Sequence, residues 1–146
     1  MILDELERHA DWWEMFQLEA AYAHLFDTGQ GEEWAALFTT DGVFKVDAMG
    51  DRPAASLTGQ AELAERCVAF RAREVGFHFL APPRIEIDGS TAQGLTGFRF
   101  YGVELATGNI RESEGFYEVS YRKEEGRWAF AVRHEHPVRR GTSRRP

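Results

Sequence analysis

The stretch YAHLFDTGQGEEWAALFTTDGVFKV, residues 22–46, carries the end of one helix, a short second helix and the start of a strand. Upstream of it, apolar side chains recur at three- and four-residue spacing, which predicts a helix from Asp11 with one apolar face. Asp11 with Glu14 resembles a capping box at its start, and Gly29 is a stop signal at its end. The predicted apolar face consists of Trp13, Phe16, Ala20, Ala23 and Phe26.

Beyond this stretch the pattern changes from helical to extended. Residues 58–76 predict a third helix with Thr58 as its N-cap and an apolar stripe of Leu63, Cys67 and Phe70. From Phe77 onward, four apolar runs are separated by the turn signals DGS, ATGN and KEEG, which predict hairpins and an antiparallel meander. Helices first and strands last indicate an α+β fold, and a strongly bent sheet with helices on one face would form a cone.

The composition excludes several classes of protein. The chain has 146 residues, 43% hydrophobic and 28% charged, which fits one globular domain and not a disordered chain. No apolar run approaches the roughly 18 residues of a membrane span, and the acidic, amphipathic N-terminus is unlike a signal peptide. The single cysteine, Cys67, excludes a disulfide framework and favours a reducing, cytoplasmic location.

Charge is distributed unevenly along the chain. The net charge is −7, and four of the 17 basic residues are arginines in the final segment VRRGTSRRP, which contains no acid. The acidic remainder argues against nucleic acid as a partner. We expect one domain over residues 1–137 and a basic, flexible tail over residues 138–146.

Three stretches in this order resemble the SnoaL-like branch of the nuclear-transport-factor-2-like superfamily, with its polyketide cyclases, scytalone dehydratases and ketosteroid isomerases. They are residues 22–46, the segment FHFLAPPRIEIDGSTA and the segment GRWAFAVRHEH, and the resemblance covers residues 11–136. It implies a cone-shaped, mainly antiparallel α+β barrel around N-terminal helices, with a deep apolar pocket, a homodimer through the outer sheet face and a place in secondary metabolism. It does not fix the function, because this fold hosts enzymes and non-catalytic subunits alike.

The resemblance also assigns two catalytic candidates. His78 corresponds to the histidine that is the general base in the dehydratases and dehydrochlorinases of the superfamily. Asp27 corresponds to the aspartate that hydrogen-bonds this histidine and stabilises its imidazolium form. An acidic residue at a helix C-terminus opposes the helix dipole, so Asp27 needs another partner in any case. We therefore predict a catalytic pair of Asp27 and His78.

Two further residues are expected to bind substrate. Tyr22 corresponds to the oxyanion-donating tyrosine of the ketosteroid isomerases, and Arg133 matches an arginine in the dehydrochlorinase pattern. Period-two alternation contradicts the second assignment, because it places His134 on the same face as Phe130 and turns Arg133 outward. The choice between Arg133 and His134 stays open at this point. Apolar residues at both parities of this strand, such as Ala131 and Phe130, need cover on both sheet faces, which favours a homodimer.

Neither a metal nor a cofactor is expected. His134 and His136 share a strand face, but a metal site needs a third ligand that the spacing does not supply. The chain has no phosphate loop, nucleophile elbow or dinucleotide fingerprint. The sequence thus predicts a cofactor-independent cyclase, isomerase or dehydratase that acts on a small apolar, aromatic or polycyclic metabolite. The alternative is a non-catalytic ligand-binding or structural subunit, such as the β subunit of a ring-hydroxylating dioxygenase.

Overall fold

A computed structural model describes residues 1–144, so the predicted tail residues Arg145 and Pro146 lie outside the described part of the chain. Within that part, the helices gather early and the longest strands gather late, which confirms the predicted α+β class. None of the helices described there is both long and apolar enough to cross a membrane. The elements are α1 (Ile2–Asp27), α2 (Gly31–Ala35), β1 (Phe38–Val46), β2 (Ala55–Thr58), α3 (Gln60–Arg73), β3 (Glu74–Leu80), β4 (Arg84–Asp88), β5 (Thr91–Glu104), β6 (Ile110–Glu124) and β7 (Arg127–Ser143).

The strands form one curved, unclosed sheet in the order β2-β1-β7-β6-β5-β3, with β4 also paired to β5. β5, β6 and β7 form the predicted antiparallel meander. β1 lies parallel to β7, so the sheet is mixed. The core fills the space between the helices and the inner face of this sheet. Its largest buried rings belong to Trp34, Tyr22, Tyr117, Tyr121, Phe38 and Phe130.

The first predicted strand run is two strands. Residues 81–83 separate β3 from β4, and both strands pair with β5. Pro82 and Pro83 cause the interruption, because proline has no backbone N–H to donate to a ladder. The four-residue strand β2 was not predicted, because three of its residues are exposed and the fourth is half-buried, which leaves no alternation to detect.

Helix α1 begins at Ile2, so Asp11 is not its N-cap. The Asp11 carboxylate instead accepts a hydrogen bond from the Trp128 indole at 2.8 Å. The buried face of the helix also differs from the predicted stripe, since Trp13 is 57% exposed. The face that is buried carries Met15, Glu19, Tyr22 and Phe26.

Helix α3 matches its prediction more closely. Leu63 and Cys67 are both buried, as the stripe predicts. Its N-cap is Gly59, with a φ of 87° that favours glycine, in place of Thr58. The Glu62 carboxylate reaches back and accepts a hydrogen bond from the Thr58 backbone N–H at 2.8 Å.

The expected flexible tail after residue 137 is part of the sheet as far as Ser143. β7 continues along β6, with Arg140 opposite Ser113 and Ser143 opposite Ile110. The extension is ordered because β6 is 15 residues long and offers pairing partners along its whole length. The last strand therefore continues past residue 137, the expected end of the domain.

Candidate active site

His78 and Asp27 are in direct contact where α1 meets the sheet. Asp27 is the last residue of α1, and His78 lies within β3. The Asp27 carboxylate accepts two hydrogen bonds, from the His78 backbone N–H at 2.7 Å and from the imidazole Nδ1 at 2.6 Å. Both side chains are only 9% exposed. The carboxylate thus has the partner that its place at a helix C-terminus requires, and it fixes both the strand and the ring.

The hydrogen bond to the ring sets its tautomer. Because an ionised carboxylate can only accept, Nδ1 carries the proton and Nε2 presents a lone pair. His78 lines the central cavity whereas Asp27 does not, so the carboxylate lies behind the imidazole. The rings of Phe26 and Phe100 flank the His78 imidazole, with centroid distances of 5.6 and 4.7 Å. In this arrangement Nε2 can accept a proton while Asp27 stabilises the imidazolium.

Arg133 points into the fold, and the alternation argument that turned it outward is wrong. The pairing of β7 with β6 shifts register beside Phe130 and leaves Ala131 as an extra residue. A one-residue bulge reverses the faces of all side chains that follow it. Arg133 is therefore 0% exposed, while the His134 side chain is 27% exposed and contacts Asp47.

Glu19 neutralises the buried Arg133. The two side chains make two N···O contacts of 2.8 Å, and Glu19 also accepts a hydrogen bond from the Tyr121 hydroxyl at 2.6 Å. The Arg133 guanidinium lies over the rings of Tyr22 and Tyr117, 3.7 and 4.1 Å from their centroids. Burial raises the pKa of both tyrosines well above the usual range, so their hydroxyls keep their protons and can act as donors.

Tyr22 lines the cavity, as the resemblance implies, whereas Arg133 lies behind its wall. The cavity has a volume of about 620 Å³, and Tyr22, Tyr117 and His78 are among its lining residues. Arg133 does not line the cavity. It packs against the rings of Tyr22 and Tyr117, which do. A volume of this order is typical of small-molecule sites.

The cavity wall is aromatic in one part and charged in another, in contrast to the apolar pocket that the resemblance implies. Its charged part was missed by the sequence analysis, because the cations come from widely separated segments of the chain. No local pattern would have grouped them. The arginines that line the cavity are Arg52, Arg66, Arg73, Arg111 and Arg140.

A second cluster of titratable groups lies away from this cavity. The Asp47 carboxylate is 2.7 Å from His134 Nε2 and 2.7 Å from His136 Nδ1. The two histidines were expected on one strand face from the sequence, but the carboxylate was not expected beside them. Asp47 directly follows β1, and only the parallel pairing of β1 with β7 brings it to them.

Comparisons with known proteins agree with this fold. A family model of the SnoaL-like domain matches residues 7–134. A search of curated proteins gives no match. Among solved structures, Rv3472 of Mycobacterium tuberculosis, a protein of unknown function, is 27% identical with a TM-score of 0.78, over 94% of this chain and 76% of that one.

Two other similar structures come from proteins with different activities. A type 2 hexachlorocyclohexane dehydrochlorinase, LinA, is 14% identical with a TM-score of 0.80, over 98% of this chain and 93% of that one. A Novosphingobium aromaticivorans protein proposed to be the β subunit of an aromatic-ring-hydroxylating dioxygenase is 20% identical with a TM-score of 0.72, over 90% and 91% of the two chains. At these identities the likeness concerns the fold and not the activity.

Proposed function

Because this chain belongs to the SnoaL-like family, we propose that it is a cofactor-independent acid/base enzyme of the lyase or isomerase type. The observation that carries the proposal is the double hydrogen bond from His78 to Asp27, which leaves imidazole Nε2 for a molecule in the cavity. A histidine held in one tautomer by a carboxylate is the arrangement that general-base catalysis needs.

The proposed reaction begins with the transfer of a proton from a carbon or hydroxyl of the substrate to Nε2 of His78. The electron pair left behind moves to a carbonyl oxygen, or expels a leaving group, or closes a ring. We propose that the protonated hydroxyls of Tyr22 and Tyr117, two residues that line the cavity, donate to a developing oxyanion. General-base catalysis contributes about 10²–10⁴ in rate, and loss of one oxyanion donor costs about 10²–10³.

A generic carbon acid tests the base without knowledge of the natural substrate. In 5-nitrobenzisoxazole a base removes the ring C–H proton, the N–O bond breaks and the electron pair leaves on a coloured phenolate. We expect the protein to accelerate this elimination, and His78→Ala to reduce the rate by about 10² or more. Asp27→Asn should also be severe, and the two losses should not add, because both residues serve one proton transfer.

The matched control is His24→Ala, which removes an exposed histidine from the same helix that carries Asp27. This variant should keep the full rate. The proposal fails if the protein is no faster than its His78→Ala variant, or if His24→Ala slows the reaction equally. Circular dichroism of each variant separates lost catalysis from lost folding.

We also propose a homodimer that forms through the outer face of the sheet. Phe77 and Phe79 on β3 are 66% and 64% exposed, and Val138 on β7 is 67% exposed. Exposed apolar side chains on one face are typical of an interface. Sedimentation should show a dimer at micromolar concentration and a monomer for Phe79→Glu, whereas Val68→Glu, on an exposed position of α3, should leave the dimer intact.

The competing function is that of a non-catalytic subunit, for which the same outer face would bind a different protein. The elimination assay separates the two functions, because a subunit has no need for a functional base at His78. We also propose a cytoplasmic location, supported by a single cysteine that is buried and unpaired.

A further inference from the structure

The charged part of the cavity contains five carboxylates, of Asp51, Glu74, Glu104, Glu112 and Glu135, as well as the five arginines, but only some of the arginines form ion pairs. Arg52 and Arg111 have carboxylate oxygens at 3.1 and 3.5 Å. Within residues 1–144, by contrast, Arg66, Arg73 and Arg140 have no carboxylate oxygen within 4.0 Å. Arg73 is exposed to water, but Arg66 and Arg140 are half-buried.

Arg140 is placed in the cavity by a second bulge in β7. The register with β6 shifts again between Pro137 and Arg139, so that Val138 is an extra residue. As a result Arg139 points to the outer face, where it contacts Glu114 at 3.0 Å, and Arg140 points inward. Arg66, on α3, lines the same cavity.

Both arginines are in an environment that disfavours their charge. Burial lowers the pKa of Arg66 and of Arg140, and the positive charge of Arg52 lowers both further, while the negative charge of Glu135 partly opposes these effects. Arginine stays protonated in proteins, so each of the two positions carries a charge that no carboxylate contacts directly among the described residues. An unpaired, partly buried charge costs stability, and sites that accept such a cost are usually functional.

We propose that the substrate carries a carboxylate, which Arg66 and Arg140 hold, and an apolar or aromatic body, which lies against the phenylalanine rings beside His78. The guanidinium fork matches a carboxylate in shape and charge. The phenylalanines Phe26, Phe98 and Phe100 line the same cavity as the two arginines, and its 620 Å³ accommodates both parts of such a molecule. This inference rests on the proposed function, since it identifies the substrate class of the same cavity.

Two isosteric probes test it, 2-naphthoate and the neutral 2-naphthamide, with binding followed by calorimetry. We expect naphthoate to bind at least about tenfold more tightly than naphthamide, because a hydrogen bond to a charged group is stronger than one to a neutral group. Arg66→Gln and Arg140→Gln should each weaken naphthoate by about tenfold and leave naphthamide unchanged. Arg139→Gln, next in sequence but facing outward, is the matched control and should change neither affinity.

The inference is overturned if the two probes bind equally, if naphthoate does not bind at millimolar concentration, or if the two variants weaken both probes alike. Inorganic phosphate as competitor identifies the anion class, and displacement of naphthoate by phosphate alone at lower concentration would overturn the choice of carboxylate. The assay needs no turnover, and His78→Ala should still bind naphthoate. Failure of the proposed catalysis is therefore distinguishable from failure of this inference.

An independent observation carries a second inference, on the outer side of the sheet. The ligand atoms of Asp47, His134 and His136 all lie within 4.8 Å of one another. Two imidazoles and one carboxylate form a donor set that suits zinc and related divalent ions. The remaining nitrogen of His136, Nε2, lies 3.4 Å from the Glu118 carboxylate, the kind of partner that ligating histidines commonly have.

We infer that these three side chains bind one divalent transition-metal ion, with zinc as the probe. The ion would replace the protons now shared at 2.7 Å between Asp47 and each ring. Tetrahedral ligands about 2.0–2.1 Å from zinc are about 3.3 Å apart, so each contact needs to open by only several tenths of an ångström. No metal was expected from the sequence, because the spacing of the two histidines supplies no third ligand.

Titration calorimetry with Zn²⁺ in a non-chelating buffer tests this site. We expect one ion to bind per chain with micromolar affinity. His134→Gln and Asp47→Asn should each weaken this affinity by at least about tenfold. The control His24→Gln should bind as the native protein does. A stoichiometry near zero, or unchanged binding in His134→Gln, overturns the inference.

Discussion

Replacing Arg133 with methionine tests the buried ion pair behind the tyrosine wall of the cavity. Methionine keeps much of the aliphatic volume, but it leaves Glu19, 3% exposed, with only the Tyr121 hydroxyl as a partner. Removing one member of a buried ion pair costs about 3–5 kcal/mol. The guanidinium contacts with Tyr22 and Tyr117 are also lost, which puts the expected cost at the upper end of that range.

Urea unfolding followed by tryptophan fluorescence measures this loss. With a slope of about 2 kcal/mol per molar urea, the midpoint should fall by roughly 2 M. The double variant Glu19→Leu with Arg133→Met should recover most of the stability, since it removes both charges of the buried pair.

The control is the exposed pair of Arg122 and Asp41, whose side chains are 39% and 71% exposed and 2.6 Å apart. Arg122→Met should leave the urea midpoint nearly unchanged, because solvent screens the pair. If Arg133→Met costs no more than this control, or if the double variant is no more stable than the single one, the reasoning is refuted.

Cys67 is 0% exposed, and burial raises the pKa of its thiol to about 11. The thiol should therefore resist disulfide reagents until the protein unfolds. A prompt reaction of the native protein would contradict its burial. Gly76→Ala should lower the free energy of unfolding by about 1–3 kcal/mol, because the new Cβ would lie 2.2 Å from a backbone oxygen of β5. Gly97→Ala is the control and should be nearly neutral, because the nearest atom to its Cβ would be 3.6 Å away. Equal urea midpoints for the two variants would contradict this packing. Burial raises the pKa of Asp11, but hydrogen bonds from Lys123 and an indole lower it overall. Asp11→Asn should therefore reduce the melting temperature above about pH 4 and lose this effect as the pH falls through the lowered pKa, and a difference that is the same at every pH would contradict this.

The sequence predicted those features that depend on neighbouring residues. The helical stripe of Leu63 and Cys67 is buried as expected, because three- and four-residue spacing directly reports the buried side of a helix. The contact between Asp27 and His78 was expected from a resemblance, since the two residues are 51 positions apart and no local pattern joins them. Their catalytic role stays a prediction.

The stripe on α1 was predicted wrongly because burial there follows charge pairing as well as hydrophobicity. Glu19 lies on the buried face, where a sequence pattern would place an apolar residue. Its position makes sense only with Arg133, which is 114 residues away on β7. Trp13 fits the apolar stripe in sequence, yet it is more than half exposed.

The two bulges of β7 explain why the last strand could not be interpreted by alternation. Each adds one residue, Ala131 and then Val138, and neither is a glycine or a proline that would mark the position. Without the first bulge Arg133 would face water and Glu19 would be buried alone. Without the second, Arg139 would replace Arg140 on the inner face. The buried cation that pairs with Glu19 and the cation that we propose binds the substrate therefore both depend on a bulge in β7. Deleting the extra residue, Ala131 or Val138, would change the side chains that face the cavity, although neither residue lines it.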